Sequence, residues 1–151
     1  VNGQGMPLSV SNGYARIRRQ WANQDEIEFN IPIETERLEA HPQVVEDRGK
    51  VALRRGPLVY CLEQPDNSVD VERIVLPMET KLESRLEPQL LDGVTVIVGR
   101  GTQIGTEGWE NRLYRPLVSA QPQPLSIKAI PYYAWGNRQL GKFVVWIPSV
   151  P

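Results

Sequence analysis

Cysteine and histidine are nearly absent: Cys61 and His41 are the only residues of their types among 151. A single cysteine excludes an intrachain disulfide, and the two together leave a zinc site short of its usual ligands. Charge of one sign is also lacking. Seventeen basic and eighteen acidic side chains leave a net charge of -1, so no summed field draws in a phosphate backbone or an anionic lipid surface. Nucleic acid is not an expected partner. The densest basic runs, "RIRRQ" (Arg16 to Gln20) and "LRRG" (Leu53 to Gly56), are short, lie in strand-like stretches and read as solvated faces. No apolar run approaches the ~18 residues of a membrane helix, and no basic-then-apolar leader opens the chain. A membrane is not an expected partner either, and the expectation is a soluble protein.

Several catalytic signatures are missing too. "GRGTQIG" (Gly99 to Gly105) lacks the lysine of a phosphate loop and the spacing of a dinucleotide fingerprint, and no G-x-S-x-G elbow occurs. Carboxylates are dense between Glu26 and Asp47, as a glycosidase pair would require. Alternation, however, puts Glu26 and Glu28 on the polar face of a strand, and a solvated acidic face is the simpler reading. No catalytic residue is assigned.

Turn residues, by contrast, are plentiful. Thirteen prolines and twelve glycines punctuate short apolar stretches at near-regular intervals, the pattern of a β-sandwich rather than a βαβ fold. The expected class is all-β, built from antiparallel, jelly-roll-like β-sandwich modules. "EIEFNIPI" (Glu26 to Ile33) alternates Ile27, Phe29, Ile31 and Ile33 against polar partners and predicts a half-buried strand, in a hairpin with "YARIRRQW" through a turn at Asn23 to Asp25. Pro32 marks an edge or an end. Further strands are expected at Val51 to Arg54, Leu58 to Leu62, Arg73 to Leu76, Val94 to Val98, Leu125 to Ile130 and Lys142 to Ile147. The second of these is apolar on both faces, as a doubly covered strand requires. "METKLESRLEPQLLDG" fits either a short helix or a loop against the sheet. Asn2-Gly3 is a hairpin-turn signal preceded only by Val1, so the chain is expected to be a fragment whose first strand lies upstream. The polar stretch "QPDNSVD" (Gln64 to Asp70) is the best internal boundary. It divides residues 1–63, the end of a first and incomplete module, from residues 64–151, a second one.

Three kinds of side chain could carry function. Cys61 lies between apolar residues, which favours a buried small hydrophobe over a nucleophile in need of a base and an accessible, electropositive setting. His41 precedes a proline and reads as a structural or interface histidine. Among the aromatic residues, Trp109, Tyr133 and Trp135 are the candidates for a carbohydrate-binding platform, the other reading being core or corner packing. Trp109 sits in the Gly-rich stretch Arg100 to Asn111. Tyr133 and Trp135 belong to "PYYAWGNR" (Pro131 to Arg138), where Gly136-Asn137 supplies a turn and Arg138 a local pairing or stacking group.

"RGPLVYCLE" (Arg55 to Glu63) and "IPYYAWGNR" (Ile130 to Arg138), with "GYARIRRQW" upstream, "AHPQV" between and "VVWIP" downstream, resemble the C-terminal region of bacterial β-L-arabinofuranosidases, glycoside hydrolase family 127. The resemblance covers essentially the whole chain. It implies β-sandwich modules that follow a helical (α/α) barrel, and the family's zinc, cysteine cluster and acid/base glutamate belong to that barrel. Cys61 matches the sandwich motif and not the cluster, so no cofactor is expected in this chain. The implied role is an accessory region that supports the catalytic barrel, oligomerisation, or both. The implied partners are the barrel or another copy of the chain in a homo-oligomer, with plant-derived arabinose-containing glycans as the further candidate. The sequence leaves the location open, with an intracellular bacterial setting favoured.

Overall fold

The structure, a computed structural model, describes residues 1–117 and 122–150. They form two compact units, Val1–Pro32 and Ile33–Pro151. All regular structure among the described residues is β-strand apart from four single-turn 3-10 helices, so the all-β class holds. No helix among them is long and apolar enough to cross a membrane.

The first unit is small. β1 (Ser9–Ser11) and β2 (Tyr14–Arg16) pair antiparallel around Asn12-Gly13, both at positive φ (53° and 80°), as a two-residue hairpin turn demands. Asn2-Gly3 is also a turn, with φ of 52° and 73°. Asn2 is fixed by its N–H on the Glu26 carbonyl at 2.9 Å and its side chain on Asp25 at 2.7 Å. The expected strand at Glu26 to Ile33 does not form. Ile27, Phe29 and Ile31 are exposed, and the hairpin expected between this stretch and "YARIRRQW" is replaced by β1–β2. The physical reason is pairing: alternation marks a face that needs covering, but a strand exists only beside a partner ladder.

In the second unit β4 (Lys50–Arg55) and β5 (Leu58–Glu63) form a hairpin. Its two-residue turn starts at Gly56, whose φ is +55° and whose missing Cβ would lie 2.8 Å from Ile33 Cγ2. Proline follows, and a Gly-first pair is what a type II′ turn requires. The hairpin pairs only near this turn. Beyond it the strands separate, β5 pairing on its other edge with β9 (Gln123–Pro131) and β4 with β11 (Ile147–Val150). β8 (Val94–Gln103) lies against β9 from Ile97↔Ala129 to Gln103↔Gln123. It pairs in turn with β6 (Ile74–Pro77), and β6 runs parallel to β11. The path β5-β9-β8-β6-β11-β4 therefore returns to β5.

The ladders thus close a six-stranded barrel with one parallel pair, where jelly-roll-like antiparallel sandwiches are the sequence expectation. Periodicity identifies strands but not their neighbours, and only the parallel β6–β11 contact closes the ring. β3 (Thr35–Glu39), β7 (Glu83–Glu87) and β10 (Phe143–Val144) flank it on β4, β8 and β5. β7 occupies part of the stretch read as helix or loop. Pro88 prevents helix continuation, and β8 offers a free edge on which Glu83 to Glu87 pair residue by residue.

Two apolar clusters hold the unit together. Leu53, Tyr60, Leu62, Ile74, Leu76, Ile97, Ile127 and Ile147 pack in one, and Cys61, Val94, Val96, Ile130 and Ala134 in the other. β5 contributes to both by alternation, Tyr60 and Leu62 to the first and Cys61 to the second, which is why its sequence is apolar on both faces. The stretch after β5 is a tied turn. The Gln64 side chain donates to the carbonyls of Asn67 at 3.3 Å and Val69 at 3.0 Å and accepts from Val71 N–H at 3.3 Å. The division after residue 63 read from the sequence falls at this turn, inside the second compact unit.

Candidate functional site

The motif "PYYAWGNR" follows β9 directly, and the fold brings it against the end of β5. Pro131 closes β9, Tyr132–Ala134 make a 3-10 turn, and Gly136 has φ +73°. Glu63, the last residue of β5, is only 2% exposed. A buried carboxylate needs paired donors, and it has them: Gly136 N–H donates to Oε1 at 2.7 Å, and Arg138 Nη2 donates to Oε2. Arg138 also grips Asp66 two-handed, Nη1 donating to Oδ1 at 3.0 Å and Nη2 to Oδ2. Every carboxylate oxygen of the pair thus has a donor. Hydrogen bonds from Arg138 to Asp66 and Glu63 hold the guanidinium above its ordinary pKa, against the opposing effect of burial.

Asn67 extends the clasp to β9. Its Nδ2 donates to the carbonyls of Glu63 at 2.8 Å and Lys128 at 3.0 Å, and its Oδ1 accepts from Lys128 N–H at 3.1 Å. One buried amide therefore ties β5 to β9 where their ladder ends. Arg138 pairs with residues 72 and 75 positions away, not locally as the sequence reading has it. No short-range sequence signal identifies those acids.

The aromatic candidates divide. Trp135 stacks on Phe143 with centroids 4.1 Å apart and planes at 27°, and Tyr132 meets the same Phe143 ring at 5.9 Å. Trp135 keeps 38% of its surface exposed and Tyr133 keeps 65%. Trp109 lies in another loop with the Arg115 guanidinium 4.4 Å over its ring, a cation–π pair. Tyr133 and Trp135 share one segment, and no ring contact among the described residues joins Trp109 to either. His41 is exposed, its Nδ1 accepting from Gln43 N–H at 3.2 Å.

Cys61 is fully buried in the second cluster. Burial, then the charges of Glu63 and Asp66, push its thiol up to about 12, which keeps it protonated when the thiolate is the form that attacks or ligates. The described residues contain no group of three Cys, His, Asp or Glu side chains able to hold a metal. The described residues therefore do not fit zinc. What the site does offer is a saturated ionic clasp beneath a half-exposed aromatic group.

A family model described as the glycoside hydrolase family 127 C-terminal domain matches residues 35–148. A curated relative, the non-reducing end β-L-arabinofuranosidase of Bifidobacterium longum subsp. longum, is 27% identical over 97% of this chain. Among solved structures, a GH127 β-L-arabinofuranosidase from Geobacillus stearothermophilus T6 is 46% identical over 79% of the chain, with a TM-score of 0.74. A further GH127 β-arabinofuranosidase superposes over 99% of the chain at 32% identity and a TM-score of 0.85. The chain spans 23% of the curated relative and 19% and 22% of the two solved chains.

Proposed function

From the premise that the chain belongs to the glycoside hydrolase family 127 C-terminal domain family, we propose that it is a non-catalytic accessory region of a β-L-arabinofuranosidase-like glycoside hydrolase. Its task is to brace the polypeptide that carries catalysis, and the assembled enzyme acts on arabinose-containing glycans. The observation that carries this reading is the family match over residues 35–148 in a chain that spans about a fifth of relatives named as β-L-arabinofuranosidases. Two features of the residues support it. The candidate nucleophile Cys61 is buried and protonated, and the carboxylates Glu63 and Asp66 are consumed by Arg138.

The first unit supports the same reading. Ile27, Phe29 and Ile31 expose an alternating apolar row of the kind that marks an interaction surface. In this proposal the row is covered in the assembled enzyme, where it completes a jelly-roll-like sandwich with strands of the partner polypeptide.

The test uses the purified chain and a family 127 enzyme cut back by the segment that this chain matches. The chain alone releases no aryl leaving group from an aryl β-L-arabinofuranoside. The shortened enzyme loses activity or solubility, and adding the chain during refolding restores it. Turnover by the chain alone, free of contaminating hydrolase, overturns the proposal, as does full activity of the shortened enzyme without it.

A further inference from the structure

A cleft of the second unit lies on the sheet of β7, β8 and β9, with Asp66 at its border. It encloses about 590 Å³, within the ~300–1,000 Å³ typical of small-ligand sites. Strand register builds it. Glu83, Val98 and Lys128 stand in one row across the three strands, and Arg100 and Ser126 stand in the next, on the same face. Gly99 lets the wall approach: a Cβ there would lie 3.0 Å from Leu82 Cδ2 and 3.1 Å from Thr80 Cγ2. Thr80 Oγ1 fixes that wall by donating to the Arg100 carbonyl at 2.7 Å.

The lining is cationic in a chain whose net charge is -1. Lys81, Arg85, Arg100 and Lys128 face Asp66 and Glu83. Asp66 is neutralised by Arg138, and Glu87 takes both Arg85 and Lys128. Lys81 and Arg100 have no ion-pair partner among the described residues. A further cation ends at the wall. Arg37 of β3 donates to the Thr80 carbonyl with Nη2 and keeps a buried Nε that meets no acceptor.

We propose that this cleft binds a singly charged, hydroxylated carboxylate, a sugar acid, with Arg100 and Lys81 as its anion contacts. A planar guanidinium matches a carboxylate in two parallel hydrogen bonds. Glu83, the lining carboxylate without an ion-pair partner among the described residues, opposes a dianion such as phosphate, and with Ser126 it supplies partners for sugar hydroxyls. Val98, on the same face as Arg100 and Lys128, gives the floor an apolar side chain for the C–H face of a sugar ring. The sugar class rests on the accessory reading above; the anion class rests on the cleft alone.

Calorimetric titration of the full chain with D-galacturonate, D-galactose and inorganic phosphate tests this. Galacturonate saturates at millimolar concentration and weakens as salt rises, galactose gives no saturable heat, and phosphate binds at least several-fold more weakly. Combining Arg100→Ala with Lys81→Ala weakens galacturonate binding tenfold or more, while Arg54→Ala, on the β3–β4 hairpin, leaves it unchanged. Both positions are exposed, and an unchanged melting temperature verifies the fold. Should the double variant melt early, Lys81→Gln alone weakens binding at least threefold. No saturation by galacturonate, equal binding of galactose or phosphate, or undiminished affinity in the variants overturns the proposal. The assay needs no catalytic partner, so failure of the bracing experiment alongside galacturonate binding removes the accessory reading alone.

Discussion

Arg138 reaches back 75 residues to the buried carboxylate of Glu63 and holds Asp66 with the same guanidinium. The link joins the end of β5 to the segment after β9, two positions that share no ladder. Because Glu63 is 2% exposed, removing its partner leaves a charge that water cannot reach. Arg138→Ala is expected to lower unfolding free energy by about 3 kcal/mol, the scale for breaking a buried pair from one side. Arg138→Lys recovers part of the loss, since an ammonium cannot serve Asp66 in the two-handed geometry. Urea denaturation measures both. A loss under about 1 kcal/mol for the alanine variant, typical of a solvated pair, contradicts the clasp.

Cys61 tests the apolar interior next to that clasp. Its thiol is pushed up to about 12 and is fully buried, so Ellman's reagent is expected to label it only as the chain unfolds. The labelling rate then rises through the denaturant transition. Cys61→Ser places a hydroxyl among Val94, Val96 and Ile130 and is expected to cost about 1–3 kcal/mol through an unsatisfied polar group. Cys61→Ala costs less. Rapid labelling of the native protein contradicts this burial.

Residue pattern alone makes most of this interior legible. β4, β5, β6, β8 and β9 fall on the stretches read as strands, and the two apolar faces of β5 follow from "PLVYCLE". The failures share one cause: they depend on partners distant in sequence. Leu82, Leu86 and Leu90 have helical spacing, yet the free edge of β8 draws Glu83 to Glu87 into a strand. "EIEFNIPI" alternates well, yet no described ladder receives it. Asn12-Gly13 carried the hairpin signal that the alternation further on obscured. Closure through β6 and β11, and the pairing of Arg138 with Glu63, have no local signature at all.

Acid should weaken a second tie between strands. Glu87 of β7 accepts from Lys128 of β9 at 2.9 Å and from Arg85 at 2.8 Å, and these two bonds hold its carboxyl below the ordinary 4.5. A carboxyl with a lower pKa when folded than when unfolded contributes stability above its unfolded value. That contribution disappears as pH falls through the folded value. Between pH 5 and 3 the native chain is therefore expected to lose more melting temperature than Glu87→Gln, and the two converge at the acid end. The pair is partly exposed, so the difference amounts to about 0.2–1 kcal/mol at neutral pH. Parallel curves for the two proteins across that window exclude the effect.

Trp135 and Tyr133 stand two residues apart and are expected to respond differently to truncation. Trp135 lies stacked 4.1 Å from Phe143, which is itself packed against the cluster that contains Cys61. Trp135→Ala removes this contact and leaves Phe143 half uncovered, a loss of about 1–3 kcal/mol from stacking and lost apolar burial. Tyr133 is 65% exposed with no ring partner among the described residues. Tyr133→Ala should stay within about 0.5 kcal/mol, as surface substitutions do. Thermal melts of both variants, followed by circular dichroism, separate the packing role of the motif from its exposed surface. Equal destabilisation would place Tyr133 in the packed interior as well, and a neutral Trp135→Ala would remove the stacked pair as the reason this segment keeps its shape.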